Sequence, residues 1–546
     1  MSTRTRLFSG PPVASCEMLI EVSPAAILTM CRVITSTFPD LSQALSHQVF
    51  SAFIIMVAGC CVLAKKPTAK AIADRLGVVS HDALPRLLTH ACWNASLLLD
   101  ALVKQAMLAA TGATLPSYFI LDDVVIPKPF ARWIAGAYWD WDPAAQRRVF
   151  CHRLVVVVWT NGLLVIPVAF ALWHKQHSAY FLTSYATFTR QEYTAFLTHF
   201  PTMRPLLESL VRLTDDTAVL ELSALAGWQR ALIGNKAWAV IAAHAANHHR
   251  YRTKNEIARR LMYRVVRKGL RGEYITFDSW YASKENSNML TRLGLVYYTA
   301  LPCSRTVNSA FRVSASSLVS DTPQRVSALA ATYASRDSIP YPQGRLRALS
   351  LRVNLSGLTH GTTLVIVKRQ DWRQFLTRSL PADHPIQQKK HEDPNTYLLT
   401  NNVMCPTYSI IVRYRSRWTI EVMFRDLKQH LGLGSCQHRT LEAVTRHIAV
   451  VMFAYVCLQL VRQDMSSSAT HQAISLTLGD VKKHLQAQVL MSITELGTPG
   501  LIRGVERPMS RTMFEQLIAP ATSSVISDSG FLIVSSPAIK ELDKNA

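Results

Sequence analysis

The chain has 546 residues, with 59 Lys plus Arg against 36 Asp plus Glu, a formal net charge of +23. That length supports several domains and at least one large core. The positive charge is spread along the chain rather than held in a tail, which points to folded surfaces that meet a polyanion. Ten scattered cysteines with no C-x-x-C pair exclude a disulfide scaffold and a zinc ribbon and fit buried, reduced thiols.

The N-terminus, MSTRTRLFSGPPVASCEM, has no apolar signal core behind its arginines. Residues 1–40 carry Pro11, Pro12, Pro24 and Pro39 and read as irregular. From Leu41 to Ala110 the pattern is helical, which predicts a four- or five-helix N-terminal domain within residues 1–112. Its apolar run Val49–Ala64 is sixteen residues long, short for a membrane span. Within the same region, Thr68–Ala91 reads as helix, Gly-containing turn, helix, with Ala69, Ile72, Ala73 and Leu76 on one apolar face and Leu84, Leu87 and Leu88 on the other. Two readings fit that segment, a helix-turn-helix that reads DNA and an α-hairpin that only packs.

Tyr118–Asp123 (YFILDD) predicts a short strand ending in two carboxylates, and an aromatic connection with Trp133, Tyr138, Trp139 and Trp141 follows. Leu154–Trp173 is apolar and β-branched, but Asn161-Gly162 interrupts it and Pro167 lies in its second half. Asn-Gly between apolar runs is a hairpin signal, so two buried strands are expected there and not a transmembrane helix. Residues 189–212 have helical composition broken by Pro201 and Pro205. His244, His248 and His249 have one i, i+4 pair but no obvious third metal ligand, so an exposed face is the reading preferred for them.

Thr253–Leu270 predicts a helix opened by a capping box, Thr253 with Glu256, and with Ile257, Leu261, Val265 and Val266 on its apolar side. Tyr274–Asp278 (YITFD) predicts a second strand ending in a carboxylate, followed by a helix at Ser283–Leu293 and a strand at Leu295–Leu301. Residues 304–338 are rich in Ser, Thr and Ala with little period. Strand-like runs then come at Leu346–Leu355, Thr362–Lys368 and Thr396–Thr400, with a polar loop at Thr377–Pro394, so a β-rich insertion is expected inside the α/β domain. Tyr414–Leu431 is expected to be one helix that closes the domain, Arg439–Gln463 another apolar helix, and the last eighty residues helical and then irregular.

At 100° per residue, Arg417, Glu421 and Lys428 fall within roughly 60° of Tyr414, on one stripe. Ile420, Met423, Phe424, Leu427 and Leu431 form a separate apolar stripe that can face a core. Asp122 or Asp123 from one strand, Asp278 from another and Glu421 from this helix can converge at one edge of a mixed sheet. Three such carboxylates suit two Mg²⁺ ions acting on a phosphodiester. Neither a P-loop nor a G-x-S-x-G elbow is present.

At these residues the sequence resembles a known family. Tyr414-x2-Arg417-x3-Glu421-x6-Lys428 matches the YREK signature of bacterial insertion-sequence DDE transposases, the "IS four" group. LDDVVIPK (Leu121–Lys128) is similar to that group's first acidic motif and TFDSWYAS (Thr276–Ser283) to its second. The resemblance covers roughly residues 115–465.

It implies an RNase H-like α/β catalytic domain (residues 113–302 and 401–465) interrupted by a β-rich insertion (303–400), an α-helical N-terminal domain and a mainly helical C-terminal region (466–546). It also implies Mg²⁺-dependent cleavage at transposon ends that frees a 3′-OH, which then attacks a second phosphodiester, in the opposite strand or in target DNA. Asp122, Asp278 and Glu421 would hold two Mg²⁺ ions, with Mn²⁺ able to substitute, and Tyr414, Arg417 and Lys428 would grip phosphates.

The family's Asp-x-Thr register selects Asp122, but Val124 stands where the threonine belongs, which leaves Asp123 as the alternative. Trp280 has two readings, a ring that stacks on an unpaired base and a core tryptophan, with core packing preferred. The implied partners are terminal inverted repeats, target DNA and a second protomer, with no membrane, in a bacterial cytoplasm at the nucleoid. The alternative function is a decayed or regulatory relative that binds DNA without cutting it.

Overall fold

A computed structural model describes residues 24–63, 67–76, 80, 82–111, 116–129, 134, 136–173, 198, 253–312, 318–332, 337–341, 344–368, 395–468 and 476–495. The segments around His244 to His249, the 189–212 region and the loop Thr377–Pro394 lie outside the described residues.

Helices begin earlier than the prolines suggested. α1 (Pro24–Thr37) and α2 (Pro39–Ala44) each start on the proline read as a breaker. Proline is compatible with the first helical turn, where its missing N–H would be unbonded in any case. α3 (His47–Val62), α4 (Ala69–Leu76), α5 (Ala83–Thr89) and α6 (Ala95–Thr111) follow. α3 is the apolar run of the N-terminal region, and from Phe53 to Val62 it is buried without a break. α4 crosses it at Gly59, where a Cβ would meet the Ile72 side chain at 2.4 Å, so the close approach requires glycine.

Thirteen strands make one sheet, in which β1 (Tyr118–Pro127), β5 (Tyr274–Phe277) and β6 (Val296–Ala300) run parallel at the centre. β3 (Arg147–Thr160) lies antiparallel to β1 and is itself paired with β2 (Tyr138–Asp142) and β4 (Val165–Trp173). The Asn161-Gly162 hairpin is present, with Gly162 at φ 85°. β1 does not end at the acids: Val124, Val125 and Ile126 continue it against β3, which puts both carboxylates in mid-strand.

The region after β6 extends the same sheet. β13 (Asn395–Thr400) pairs with β6, then come β12 (Thr362–Lys368), β11 (Gly344–Leu355) and β7 (Thr306–Arg312). The Ser/Thr/Ala-rich stretch expected to lack period holds β7, β8 (Leu318–Ser320), β9 (Gln324–Arg325), part of β10 (Asp337–Tyr341) and a helix, α9 (Val326–Thr332). Strands with mixed polar residues, such as β7 with its pattern of two buried residues among five others, leave little apolar alternation to read.

α7 (Lys254–Arg267) carries the expected capping box and packs on β3 and β4. α8 (Lys284–Arg292) packs on β6. The stretch Tyr414–Leu431 is not one helix: α10 (Thr407–Arg415) and α11 (Trp418–Gln429) meet at a tight turn. Ser416 turns its hydroxyl back to the Arg413 carbonyl at 2.6 Å. Arg417, Thr419 and Ile420 bond three residues back instead of four.

α12 (Leu441–Ser468) runs through the core against α3, α5 and α6, joining the N-terminal helices to the end of the chain's described part. Its Arg446 is buried and donates to the Leu88 and Trp93 carbonyls, each at 3.0 Å. α13 (Leu478–Glu495) adds Lys482, which donates to the Cys60 and His430 carbonyls. Among the described residues, Leu441–Ser466 is long and apolar enough to cross a membrane, and 89% of that window is buried inside the protein.

Candidate active site

Strand alternation separates the two neighbouring acids of β1. Asp122 faces α11, and Asp123 faces α7 and the short 3₁₀ turn Ser279–Tyr281. Arg417, at the start of α11, donates through Nη1 to Asp122 Oδ2 and through Nη2 to Glu421 Oε1, both at 2.5 Å. One guanidinium thus joins a carboxylate from the central strand to one from the helix. Because the helix restarts at Trp418, Arg417 and Glu421 are still one turn apart on the face turned to β1.

Asp278 caps the 3₁₀ turn through its own carboxylate, which accepts from the Ser279 N–H at 2.7 Å. It is near enough to Asp122, Tyr414 and Arg417 for its charge to act on all three. The Asp122 carboxyl is pushed up to about 7, by burial first and by the charges of Asp123 and Asp278 after it, against the pull of Arg417. Tyr414 is buried beneath Arg417, receives a hydrogen bond from it, and is pushed up to about 12 by burial first and by Asp278 and Asp122 after it.

Asp123 has a different company. Arg153 reaches its Oδ2 at 2.6 Å, Lys254 its Oδ1 at 3.1 Å, and the Tyr281 hydroxyl donates to Oδ1 at 2.9 Å. Burial alone would raise this carboxyl, but Lys254 and Arg153 outweigh it and hold it below the usual carboxylate range. Arg153 also binds Asp140 at 2.7 Å.

Sequence alone assigns no site role to Arg153, Lys254, Asp140 or Tyr281. A signal was present for two of them: Tyr281 lies inside the second acidic motif, three positions after Asp278, and Lys254 opens the helix whose capping box is legible.

Trp280 is 63% exposed, so it is not the core tryptophan preferred from the sequence; its short 3₁₀ turn lifts the ring to the surface, where the Lys254 ammonium lies 4.3 Å from its centre. Lys428 is exposed on the last turn of α11, close enough to Asp142 to feel its charge. The structure therefore brings together Asp122, Asp278, Glu421, Arg417 and Tyr414. It sets Asp123 on the far side of the strand, and Trp280 and Lys428 at the rim.

The donor set facing Arg417 is all oxygen, which suits a hard divalent cation. Mg²⁺ asks for only one or two carboxylates when substrate phosphates supply the rest. Asp122 is raised by burial first and by two neighbouring acids after it, and one guanidinium only partly offsets them. Among the described residues no group of three or more His, Cys, Asp or Glu side chains stands close enough to hold an ion as placed, because Arg417 lies between Asp122 and Glu421.

Two family models match the chain. Residues 238–457 match one described as "Transposase DDE domain", and residues 40–192 match one described as "DDE superfamily endonuclease". Asp122 and Asp123 lie in the second match, Asp278 and Glu421 in the first. A protein of Sinorhizobium fredii (strain NBRC 101917 / NGR234) named "Putative transposase y4zB" is 35% identical over 72 residues, which is 13% of this chain and 20% of that protein. The chain thus spans about a fifth of the length of that relative.

Proposed function

We propose that this chain is a DNA transposase of the DDE type, which cuts at the ends of a mobile element and joins them to target DNA. The observation that carries the reading is the junction at Arg417, where acids from β1 and α11 share one guanidinium beside the acid that follows β5. The parallel β1–β5–β6 centre supports an RNase H-like domain, with residues 303–400 as its β-rich insertion. The spacing of Tyr414, Arg417, Glu421 and Lys428 supports the YREK group. The helical 1–112 domain, with Thr68–Ala91 as its candidate DNA reader, and the 466–546 region complete the proposed map.

Asp122, Asp278 and Glu421 are the proposed metal-holding and catalytic acids, with Asp123 left as the structural partner of Arg153 and Lys254. Two Mg²⁺ ions, or Mn²⁺ in their place, would supply Lewis-acid activation of water or a 3′-OH and stabilise the leaving oxygen. Arg417, released from its acids, and Lys428 bind phosphates. Tyr414 is buried and works by orienting Arg417. Trp280 offers its exposed ring to a base near the reacting phosphate. The proposed partners are terminal inverted repeats, target DNA and a second copy of the chain, in a bacterial cytoplasm.

The test is cleavage of a duplex carrying the element's terminal repeats, with and without Mg²⁺. The wild-type chain should cut and leave a 3′-OH. Glu421→Gln should lose cutting and keep binding, because the phosphate grip remains. Cutting by Glu421→Gln at the wild-type rate would refute the site. Binding without product at any Mg²⁺ or Mn²⁺ concentration would instead favour the non-cutting relative.

A further inference from the structure

β2 is built inside out. Tyr138, Asp140 and Asp142 are buried, while Trp139 and Trp141 stand 44% and 48% exposed. A strand with one buried face ordinarily turns its aromatic residues inward and its carboxylates to water. Here the inward carboxylates are held in place, Asp140 by Arg153 at 2.7 Å and Asp142 by the Ala144 N–H at 2.9 Å. Two indoles on the outer face of one strand, with acids secured behind them, mark a surface shaped for a partner.

The register shows which way that surface points. Asp122 lies opposite Val156, Trp139 opposite Phe150 and Trp141 opposite Arg148, with no bulge in either pairing. These β3 residues are separated by even steps, so both indoles project from the sheet face that carries Asp122. The β1 ladder on β3 ends at Cys151, with the Lys128 N–H still bonded to the Phe150 carbonyl, and beyond that the start of β3 pairs with β2 alone among the described strands. The result is a two-stranded arm extending past the sheet. Its indoles stand six and eight residues along β3 from the level of Asp122, roughly 20–26 Å at about 3.3 Å per residue. Trp139 leans on the Phe150 ring at 5.9 Å, which fixes its plane. Arg148, opposite Trp141, is exposed on the face that carries the indoles, whereas Arg147, opposite Asp142, lies on the other face.

We propose that this arm is a stacking platform for unpaired DNA bases, with Trp139 and Trp141 taking the bases and Arg148, on the same face, neutralising phosphate. The proposal rests on the transposase reading above and adds a second DNA contact to it. Two side chains at i and i+2 on a strand stand roughly 7 Å apart. That is about twice the 3.4 Å rise of stacked bases, so the platform suits a strand drawn out of the duplex. Stacking on aromatic rings tolerates any base, as a contact to variable flanking DNA requires.

The test uses the full chain without divalent cations, a labelled single-stranded oligonucleotide of mixed sequence, and its duplex. The double variant W139L/W141L keeps apolar bulk but has no ring. It should bind the single strand roughly tenfold or more weakly, with duplex affinity nearly unchanged. W139F/W141F should restore most of the loss, and all three proteins should melt alike. Should the double Leu variant fail to fold, Trp141→Leu alone provides the same comparison. Single-strand binding equal to wild type in the Leu variants, or equal losses on both DNA forms, would overturn the platform. Mg²⁺-dependent cleavage by the same preparation then shows whether the transposase reading survives it. A wild-type chain that binds neither DNA form ends both.

Discussion

Asp122 and Asp123 are adjacent in the chain and opposite in environment. Asp122 shares Arg417 with Glu421, whereas Asp123 has two cations and a phenol to itself. Removing one partner from a buried pair strands the other charge, which costs about 3–5 kcal/mol. Arg417→Gln should therefore destabilise the chain by about 3 kcal/mol in a denaturant titration. The Arg417→Gln, Asp122→Asn double variant should lose less than the sum of the two singles, by roughly 1–3 kcal/mol. Strict additivity would show that the pair is not coupled in solution.

The choice between the two acids was half legible in the sequence. The motif register favoured Asp122, but taking the strand to end at the acids hid the period-two alternation, which sorts them once Val124–Ile126 are seen to continue β1. The exposure of Trp280 was not legible, because a three-residue 3₁₀ turn leaves no periodic mark.

At the scale of elements, composition identified the long, strongly patterned pieces: the capped α7, the hairpin after β3, and the strands at Thr362–Lys368 and Val296–Ala300. It failed where a local side-chain bond redirects the backbone. Ser416 breaks the expected single helix, yet the break leaves Arg417 and Glu421 on the face the unbroken helix would have given them.

Another tie between elements has a pH signature. His447 of α12 is buried and bonded to the Gly432 carbonyl just beyond α11, and burial lowers it from 6.5 to about 3. A base with a depressed folded pKa contributes stability that is present above its unfolded pKa and lost as pH falls through the folded one. Acidification from pH 6.5 toward 3 should therefore lower the melting temperature of the wild type. His447→Gln, which cannot take up that proton, should show a shallower slope over the same window. Parallel slopes would mean that the imidazole is not buried neutral.

For the whole molecule, the N-terminal helices find packing partners far along the chain. α3, α5 and α6 pack on α12, which lies over three hundred residues further along the chain, so the two ends of the described chain share one apolar interior. Distant packing partners leave no local trace in composition, which is why Arg446 reads in sequence as an ordinary basic residue of an apolar helix. In the fold it closes the carbonyls of Leu88 and Trp93. Arg446→Met should leave those carbonyls buried and unbonded at about 1–3 kcal/mol each. It should lower the main unfolding transition and not a separate N-terminal one. A variant that loses only a minor early transition would show the N-terminal helices to be independent.

The net charge of +23 also acts at this scale. Part of it is committed inside the protein, since Arg417, Arg153, Lys254, Arg446 and Lys482 all face internal acids or carbonyls. Exposed cations such as Lys428 are the ones that can meet phosphates. Each neutralised phosphate releases condensed counterions, so log K should fall linearly with log salt, with a slope of about −0.9 per contact on duplex DNA. A footprint of six to ten phosphates should lose roughly 10³–10⁵ in affinity between about 50 and 200 mM salt. Replacing Lys428 by Gln should make that slope shallower by roughly one while leaving sequence preference unchanged. The Trp139 and Trp141 variants should lower single-strand affinity at every salt concentration without changing the slope, because stacking releases no counterions. Titrations of the three proteins across one salt series separate charge from stacking. Parallel lines for Lys428→Gln and wild type would remove Lys428 from the phosphate-binding surface.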